Sequence, residues 1–332
     1  ALNKLSSANP ENVGMSSIVL SEIDTLAKFA IQNKMMPGAQ IVVVRRGRIV
    51  YKKSFGFQDY SKIQEIQSSD VYDLASLTKI LSTLPMMMKA YEDKKYKFDD
   101  KLGNLLPIFK DTDKQDITVK DMLLHQARLQ PWIGFYLKTL NSEKKPDTLY
   151  YRKTFSKDFS KQVDENLFLR NDYNDTLIKS IAESPLLPKK QYKYSDFSFI
   201  LFKEFLEKTY NQTLDVLVDQ NFYKKLETST LTYNPLRKFD ISIIPPTEED
   251  QYFRYTKVQG YVHDMAAAMQ NGVSGHAGLF GNALDVAKMM QMYLNKGTYG
   301  GIEFFKPETI HAFNECYSCK EGNRRGLGFD KP

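Results

Sequence analysis

Ser76-Leu77-Thr78-Lys79 puts a hydroxyl and an amine three positions apart, inside the stretch from Tyr72 to Leu81 that turns helical. On a helix, residues at that spacing share a face one turn apart, so the Lys79 amine can reach the Ser76 hydroxyl. A serine hydroxyl is a poor nucleophile until a base takes its proton, and an amine partly stripped of solvent can do so. If Ser76 begins the helix, the positive end of the dipole lies under developing negative charge. Alone, S-x-x-K is common in a chain rich in Ser and Lys, and reads as a solvated helix face.

Tyr194-Ser195-Asp196 follows well downstream, just before the apolar run Phe197, Phe199, Ile200, Leu201, Phe202. At a loop-to-helix junction this triplet presents a phenol and a carboxylate on one side of the turn. The phenol can relay protons, and the carboxylate can fix Lys79 by charge pairing. Taken without Ser76 and Lys79, Asp196 reads as a helix cap and Tyr194 as one of 20 tyrosines in ordinary packing. Paired with the first motif, the two read as one reactive site.

This combination resembles the serine β-lactamase and penicillin-binding protein superfamily, and most closely its class C-like branch of DD-peptidases, esterases and amidases. Residues 36–50 (MPGAQIVVVRRGRIV) are similar to the opening strands of that branch, and residues 73–80 (DLASLTKI) to its nucleophile helix. Residues 117–125 (ITVKDMLLH) resemble the segment that usually reads LLxHxSGL, and residues 275–288 (GHAGLFGNALDVAK) its Gly-Gly-Leu and Asp-Leu-Ala element. The resemblance spans most of the chain except about 130–190. It is especially close to β-lactamase-like modules beside N-acetylglucosaminidase modules in Bacteroidetes cell-wall proteins, and residues 324–332 (RRGLGFDKP) fit that subgroup.

Two departures stand out. Gln126-Ala127-Arg128 replaces the usual Thr-Ser-Gly after the histidine. The family's third motif, Lys/His-Thr/Ser-Gly on a strand facing the nucleophile, has its expected place beyond Phe329. The C-terminal strands and final helix are therefore expected to lie outside this sequence; the alternative gives the third-motif role to His276. One oxyanion donor is expected to be the Ser76 N–H, the other to come from the unseen strand. Loss of one such donor costs ~2.7–4 kcal/mol of transition-state stabilisation, so a chain without that strand is expected to be feeble.

At 332 residues, with 42% hydrophobic and 26% charged content, the chain can bury a sizeable core as one large or two intimately packed units. The net charge of +6 is spread along the sequence, without the concentrated basic stripe that nucleic-acid binding wants. No apolar stretch reaches the ~20 residues needed to cross a bilayer. The N-terminus has neither a signal-like core nor an initiator methionine, which leads one to expect a processed chain or one cut from something longer. The cysteines, Cys316 and Cys319, lack the second ligand pair of a zinc site; they form either a small loop disulfide or free thiols.

Apolar residues Ile23, Leu26, Ala27, Ala30 and Ile31 give 18–33 helical spacing, and Met36-Pro37-Gly38 ends that helix. Residues 40–44 and 48–52 read as strands joined in a hairpin at Arg46-Gly47. A helix is expected from Ser76 towards Tyr91 with a kink or a lost bond at Pro85, and Thr118 is a good N-cap for 119–125. Residues 130–188 show little periodicity and read as loops and short helices around the site entrance; aromatics such as Trp132, Phe135, Tyr136, Tyr150 and Tyr151 serve mostly to pack them on the body. Further helices are expected at 196–210 and 283–294. Strands first, helices through the middle and strands again at the end make an α+β fold. The expected division is a discontinuous sheet domain, 1–65 with 260–332, and a mainly helical domain, 66–259, with its insertion at 130–190. The cleft should lie between them.

Among His125, His263, His276 and His311 no ligand spacing occurs, so each reads as a hydrogen-bonded structural residue and no metal or other cofactor is expected. His276 stands out because its flanking glycines bring backbone close to whatever lies opposite, and it is a candidate substrate contact with Asp196. No G-x-S-x-G elbow supports a Ser-His-Asp triad. The resulting expectation is a serine hydrolase: Ser76 attacks a carbonyl, Lys79 accepts its proton, Tyr194 passes a proton to the leaving group, and Asp196 steadies both. The resemblance implies peptidoglycan-derived peptides (a DD-peptidase or muropeptide amidase) or a β-lactam as substrate, an extracytoplasmic or periplasmic location, and a glycosidase module as partner. A promiscuous esterase, or a binding or sensor module that acylates without turnover, uses the same residues.

Overall fold

The computed structural model describes residues 4–331; residues 1–3 and 332, which belong to the terminal stretches read above, lie outside the described residues. Strand β1 (Ser6–Ser7) runs parallel to β3 (Arg48–Gly56), which pairs antiparallel with β2 (Gly38–Arg45). Arg46 and Gly47 both have positive φ, 51° and 71°, the geometry of a tight hairpin whose twist matches its strands. Helix α1 (Ser17–Gln32) starts where the Ser16 Oγ accepts the Val19 N–H at 3.3 Å. It buries Leu20 with Val13, Val50 and Tyr51, while Ile18, Leu26 and Phe29 remain exposed. The sheet order β1-β3-β2 leaves β2 at an edge with no strand beyond it among the described residues.

The chain then crosses β4 (Tyr72–Asp73) into the segment that carries Ser76. Residues Lys79–Thr83 form a π-turn, followed by α2 (Leu84–Glu92). Pro85 has no N–H for the Leu81 carbonyl, so the helix widens ahead of it. The freed carbonyls are taken by tyrosines: the Tyr223 hydroxyl donates to Leu81 O at 3.0 Å, and that of Tyr293 to Ile80 O at 2.8 Å. Met86, Met87 and Met88 are fully buried, so this helix is the axis of the main core. Short helices α3 (Leu102–Leu105) and α4 (Val119–Leu123) follow, the Thr118 Oγ1 accepting the Asp121 N–H at 3.1 Å.

The region expected as loops and short helices differs from that expectation. It contains a three-stranded sheet of order β5-β7-β6, from β5 (Tyr151–Arg152), β6 (Lys161–Asp164) and β7 (Leu167–Leu169), and then α5 (Tyr173–Glu183). The strands are too short to show alternation in a sequence dense in charge, and α5 buries Tyr173, Leu177, Ile178 and Ile181 from a mostly polar run. The Tyr136 and Tyr151 rings pack on Phe253, which fastens the insertion to the body; Trp132 is exposed.

Helix α6 (Phe197–Tyr210) lies beside α2 and buries Phe199, Ile200, Leu201 and Phe202. The short helices α7 (Leu214–Val218) and α8 (Lys224–Leu226) lead to β8 (Thr232–Tyr233) and the hairpin of β9 (Glu248–Glu249) and β10 (Lys257–Val258). After α9 (Met265–Met269), strand β11 (Leu279–Gly281) lies between β4 and β8. Helix α10 (Ala283–Leu294) packs on β2; β12 (Thr298–Tyr299) and β13 (Ile302–Glu303) make a small hairpin before α11 (Pro307–Asn314). The architecture is α+β. Residues 260–332 bring the first sheet a helix, and among the described residues their strands, two or three residues long, pair elsewhere. Cys316 and Cys319 are joined in a disulfide. No helix among the described residues is long and apolar enough to cross a membrane.

Candidate active site

Pairing of β4 with β11 presents the Ser76 turn at the end of a strand, with the Leu74 N–H on Leu279 O at 2.9 Å. Ala75 then takes a left-handed conformation, φ 47°, which is costly for a side chain with a Cβ. Its N–H is met by Asp73 Oδ1 at 2.8 Å. The Thr78 hydroxyl donates to Ala75 O at 2.7 Å and accepts the Leu279 N–H at 3.1 Å, so the turn is pinned from within and from β11. Ser76 is left exposed at the head of the helix, and its N–H reaches no acceptor among the described residues.

Lys79 is the opposite case, its side chain only 4% exposed. Its Nζ lies 2.9 Å from Ser76 Oγ, 2.7 Å from Asp196 Oδ1 and 3.3 Å from the His276 carbonyl. Three partners match the three protons of an ammonium. They equally match a neutral amine that donates to Asp196 and His276 and accepts from Ser76. The same set of contacts can therefore serve the amine both with and without an added proton.

Asp196 occupies the cap position of α6 without capping it. Ser195 does that instead, its Oγ accepting the Phe197 N–H at 3.2 Å, which frees the Asp196 carboxylate for Lys79. The Tyr194 ring stands 4.8 Å from Lys79 Nζ and 4.6 Å from the His125 ring, centroid to centroid. Ser76, Lys79, Tyr194 and Asp196 thus form one cluster, built from two segments more than a hundred residues apart.

His276 joins that cluster by its backbone. Its ring is buried, with Nε2 2.8 Å from Asp264 Oδ1 and Nδ1 2.9 Å from Ser274 Oγ, so neither ring nitrogen is free for a substrate. Only the carbonyl reaches Lys79, a close backbone approach of the kind the flanking glycines suggest. Gly275 permits this approach, since a Cβ there would come within 1.9 Å of the Phe199 carbonyl oxygen. Burial beside His276 is offset by that ring and by the Ala267 N–H, which hold the Asp264 carboxyl well below the usual range.

Two further histidines back the site, and sequence reading assigned neither a place in it. His263 bonds Asp73 through both its N–H and its Nδ1, each 2.9 Å from Asp73 Oδ2, and that carboxylate raises its pKa. His125 lies under Tyr194; its Nδ1 accepts the Ser195 N–H at 3.2 Å, and its buried Nε2 has no partner among the described residues. Burial, aided by the charges of Arg325 and Lys79, pushes its pKa down to about 3, so the ring is neutral. The departure after this histidine also has a structural outcome. Arg128 adopts the left-handed backbone (φ 59°) that a glycine there favours, and its guanidinium meets Leu187 O at 2.5 Å.

On the far side of Leu77, a largely apolar groove of about 680 Å³ runs between the β2 edge and α10, lined by Ile41, Val42, Leu74, Val286 and Met290 among others. Among the described residues no group of three or more His, Cys, Asp or Glu side chains could hold a metal.

The geometry has relatives. A family model described as beta-lactamase matches residues 23–303. The chain is 30% identical, over 332 aligned residues, to a protein of Bacillus subtilis (strain 168) named N-acetylmuramyl-L-alanine amidase, covering 92% of this chain and 69% of that one. It is 29% identical, over 346 residues, to an Escherichia coli (strain K12) protein provisionally named a D-alanyl-D-alanine carboxypeptidase, covering 98% and 75%. In structure it is similar to a class C beta lactamase from Rhodobacter sphaeroides, with a TM-score of 0.61, 13% identity, and 89% and 70% of the two chains covered.

Proposed function

The chain belongs to the beta-lactamase family, and on that premise we propose that it is a serine hydrolase working through an acyl-enzyme on the peptide part of peptidoglycan fragments, in the manner of a DD-peptidase or muropeptide amidase. The observation that carries this reading is the Lys79 amine, 2.9 Å from Ser76 Oγ and anchored to Asp196 at 2.7 Å. The relatives' names, an amidase and a carboxypeptidase, support an amide bond in a wall-derived peptide as substrate.

In this mechanism Ser76 Oγ adds to the carbonyl carbon and gives its proton to the lone pair of neutral Lys79. The proton is delivered by way of the Tyr194 phenol to the departing amine as the C–N bond breaks. Water then adds to the ester, loses its proton along the same route, and releases the carboxylate and the Ser76 hydroxyl. Asp196 and the His276 carbonyl keep two amine protons engaged throughout. The Ser76 N–H, at the head of a helix, is placed to receive the developing oxyanion. Such a substrate puts the protein outside the cytoplasm, where a glycosidase working on the same polymer would supply its fragments.

The test is a fluorescent penicillin together with muropeptide turnover. We expect a covalent adduct on Ser76 and hydrolysis that Ser76→Ala abolishes. A stable adduct without turnover means a sensor, and hydrolysis that survives Ser76→Ala refutes the nucleophile.

A further inference from the structure

We propose that His263 and Asp264 together are a positioning brace for the Ser76–Lys79 pair, an inference that rests on the hydrolase reading above and goes one layer behind it. Neighbours in sequence, their side chains diverge to the two ends of the same turn. His263 takes Asp73 Oδ2 through both its N–H and its Nδ1 at 2.9 Å, while the other Asp73 oxygen holds the Ala75 N–H at 2.8 Å. Ala75 carries the left-handed backbone, φ 47°, that aims Ser76. Asp264 takes His276 Nε2 at 2.8 Å, and the His276 carbonyl meets Lys79 Nζ at 3.3 Å. One arm therefore fixes the nucleophile's backbone and the other fixes the base.

The arrangement is more than a helix cap. Asp264 Oδ1 does cap α9, accepting the Ala267 N–H at 2.8 Å, but the same oxygen carries the bond to His276. A cap alone would leave that ring free. Instead its second nitrogen is closed by Ser274 Oγ at 2.9 Å. The flanking carbonyls are pinned as well, Gly275 O by the Thr83 hydroxyl at 2.7 Å and Ser274 O by the Tyr233 hydroxyl at 3.0 Å. A carbonyl whose own ring and two preceding residues are held in this way can orient a flexible lysine, whose four-carbon stem otherwise samples many rotamers.

Two substitutions separate bracing from capping. Serine caps a helix nearly as well as aspartate but is too short for the ring, so Asp264→Ser keeps α9 and cuts the brace. Asparagine offers the same oxygen without charge, so Asp264→Asn should restore both bonds. With fluorescent penicillin as probe, Asp264→Ser should slow the acylation rate about tenfold to a hundredfold with little change in the concentration for half-maximal rate, and should lower the thermal midpoint because the buried His276 ring loses a partner; Asp264→Asn should recover most of both losses. In lysine-labelled protein, the two ε-methylene protons of Lys79, inequivalent when the amine is held, should merge in Asp264→Ser and separate again in Asp264→Asn. Wild-type inequivalence that persists in Asp264→Ser overturns the brace. Should that variant not fold, Ser274→Ala, which cuts the other bond to the ring, is read in the same way. A wild-type protein that forms no Ser76 adduct sinks the hydrolase reading instead, and the methylene signals still decide the brace.

Discussion

Lys79 and Tyr194 are neighbours, the amine nitrogen 4.8 Å from the ring centroid, yet the protein holds them in opposite ways. The lysine is sealed, with polar partners on three sides. The tyrosine is 38% exposed, its hydroxyl has no partner among the described residues, and its ring is placed mainly by the face of His125. The difference suits the two tasks proposed for them. A base must sit at one distance from one hydroxyl, which directional bonds in a dry site ensure. A proton relay has to meet a leaving group and then a water molecule, so a ring seated by packing, with its polar end left free, suits it better.

The largest effect should come from removing the sealed partner. Lys79→Met keeps the stem and removes the base, and general-base catalysis of this kind contributes about 10²–10⁴ in rate. Adduct formation with fluorescent penicillin should fall by that order. A rate within a few-fold of wild type would mean that another group takes the Ser76 proton. Tyr194→Phe should cost less, on the order of 10² in turnover, because water in the open cleft can replace part of the relay. Since the ring remains to stack on His125, the thermal midpoint should not move. A fall in midpoint would show that the hydroxyl has a structural bond and would narrow the contrast between the two residues.

The reach of the sequence can be read from the same cluster. Ser76 and Lys79 were legible because three residues on a helix is a fixed geometry. Tyr194 and Asp196 were legible only in combination, because nothing local says whether Asp196 caps its helix or turns away. Ser195 decides that by taking the cap itself, a choice between adjacent oxygens to which residue-type preference is blind. The Asp264–His276 bond was not legible at all. Asp264 before Met265-Ala266-Ala267-Ala268 signals a cap, but a second bond across α9 depends on how the chain returns. The glycine at 275 signalled only that backbone comes close there, not which carboxylate the neighbouring ring meets. For the fold, the amphipathic runs 17–32 and 283–294 gave themselves away. The two- to four-residue strands of the insertion have no period to detect.

The packing that seats Tyr194 has a pH signature of its own, because the ring beneath it is a histidine kept neutral. In the unfolded chain His125 takes up a proton near pH ~6.5. In the folded protein burial holds its pKa at about 3. Between these values the unfolded state binds the extra proton, so the stability due to this group is complete above the upper value. It is lost as the pH falls towards the lower one, by up to ~1.4 kcal/mol per pH unit. Other groups of the site leave this window clear. Asp264, whose pKa is lowered, begins to withdraw its stabilisation only below the ordinary carboxylate range, and His263, whose pKa is raised, contributes a term lost on the alkaline side. His125→Asn suits the backbone there, φ 54°, since asparagine tolerates the left-handed region. It should lower the midpoint at pH 7 by removing the ring contact, and flatten the decline between about pH 6.5 and pH 4. Thermal midpoints of the two proteins across that range decide it: parallel curves would mean that the acid sensitivity lies elsewhere and that the seat of Tyr194 is not what titrates.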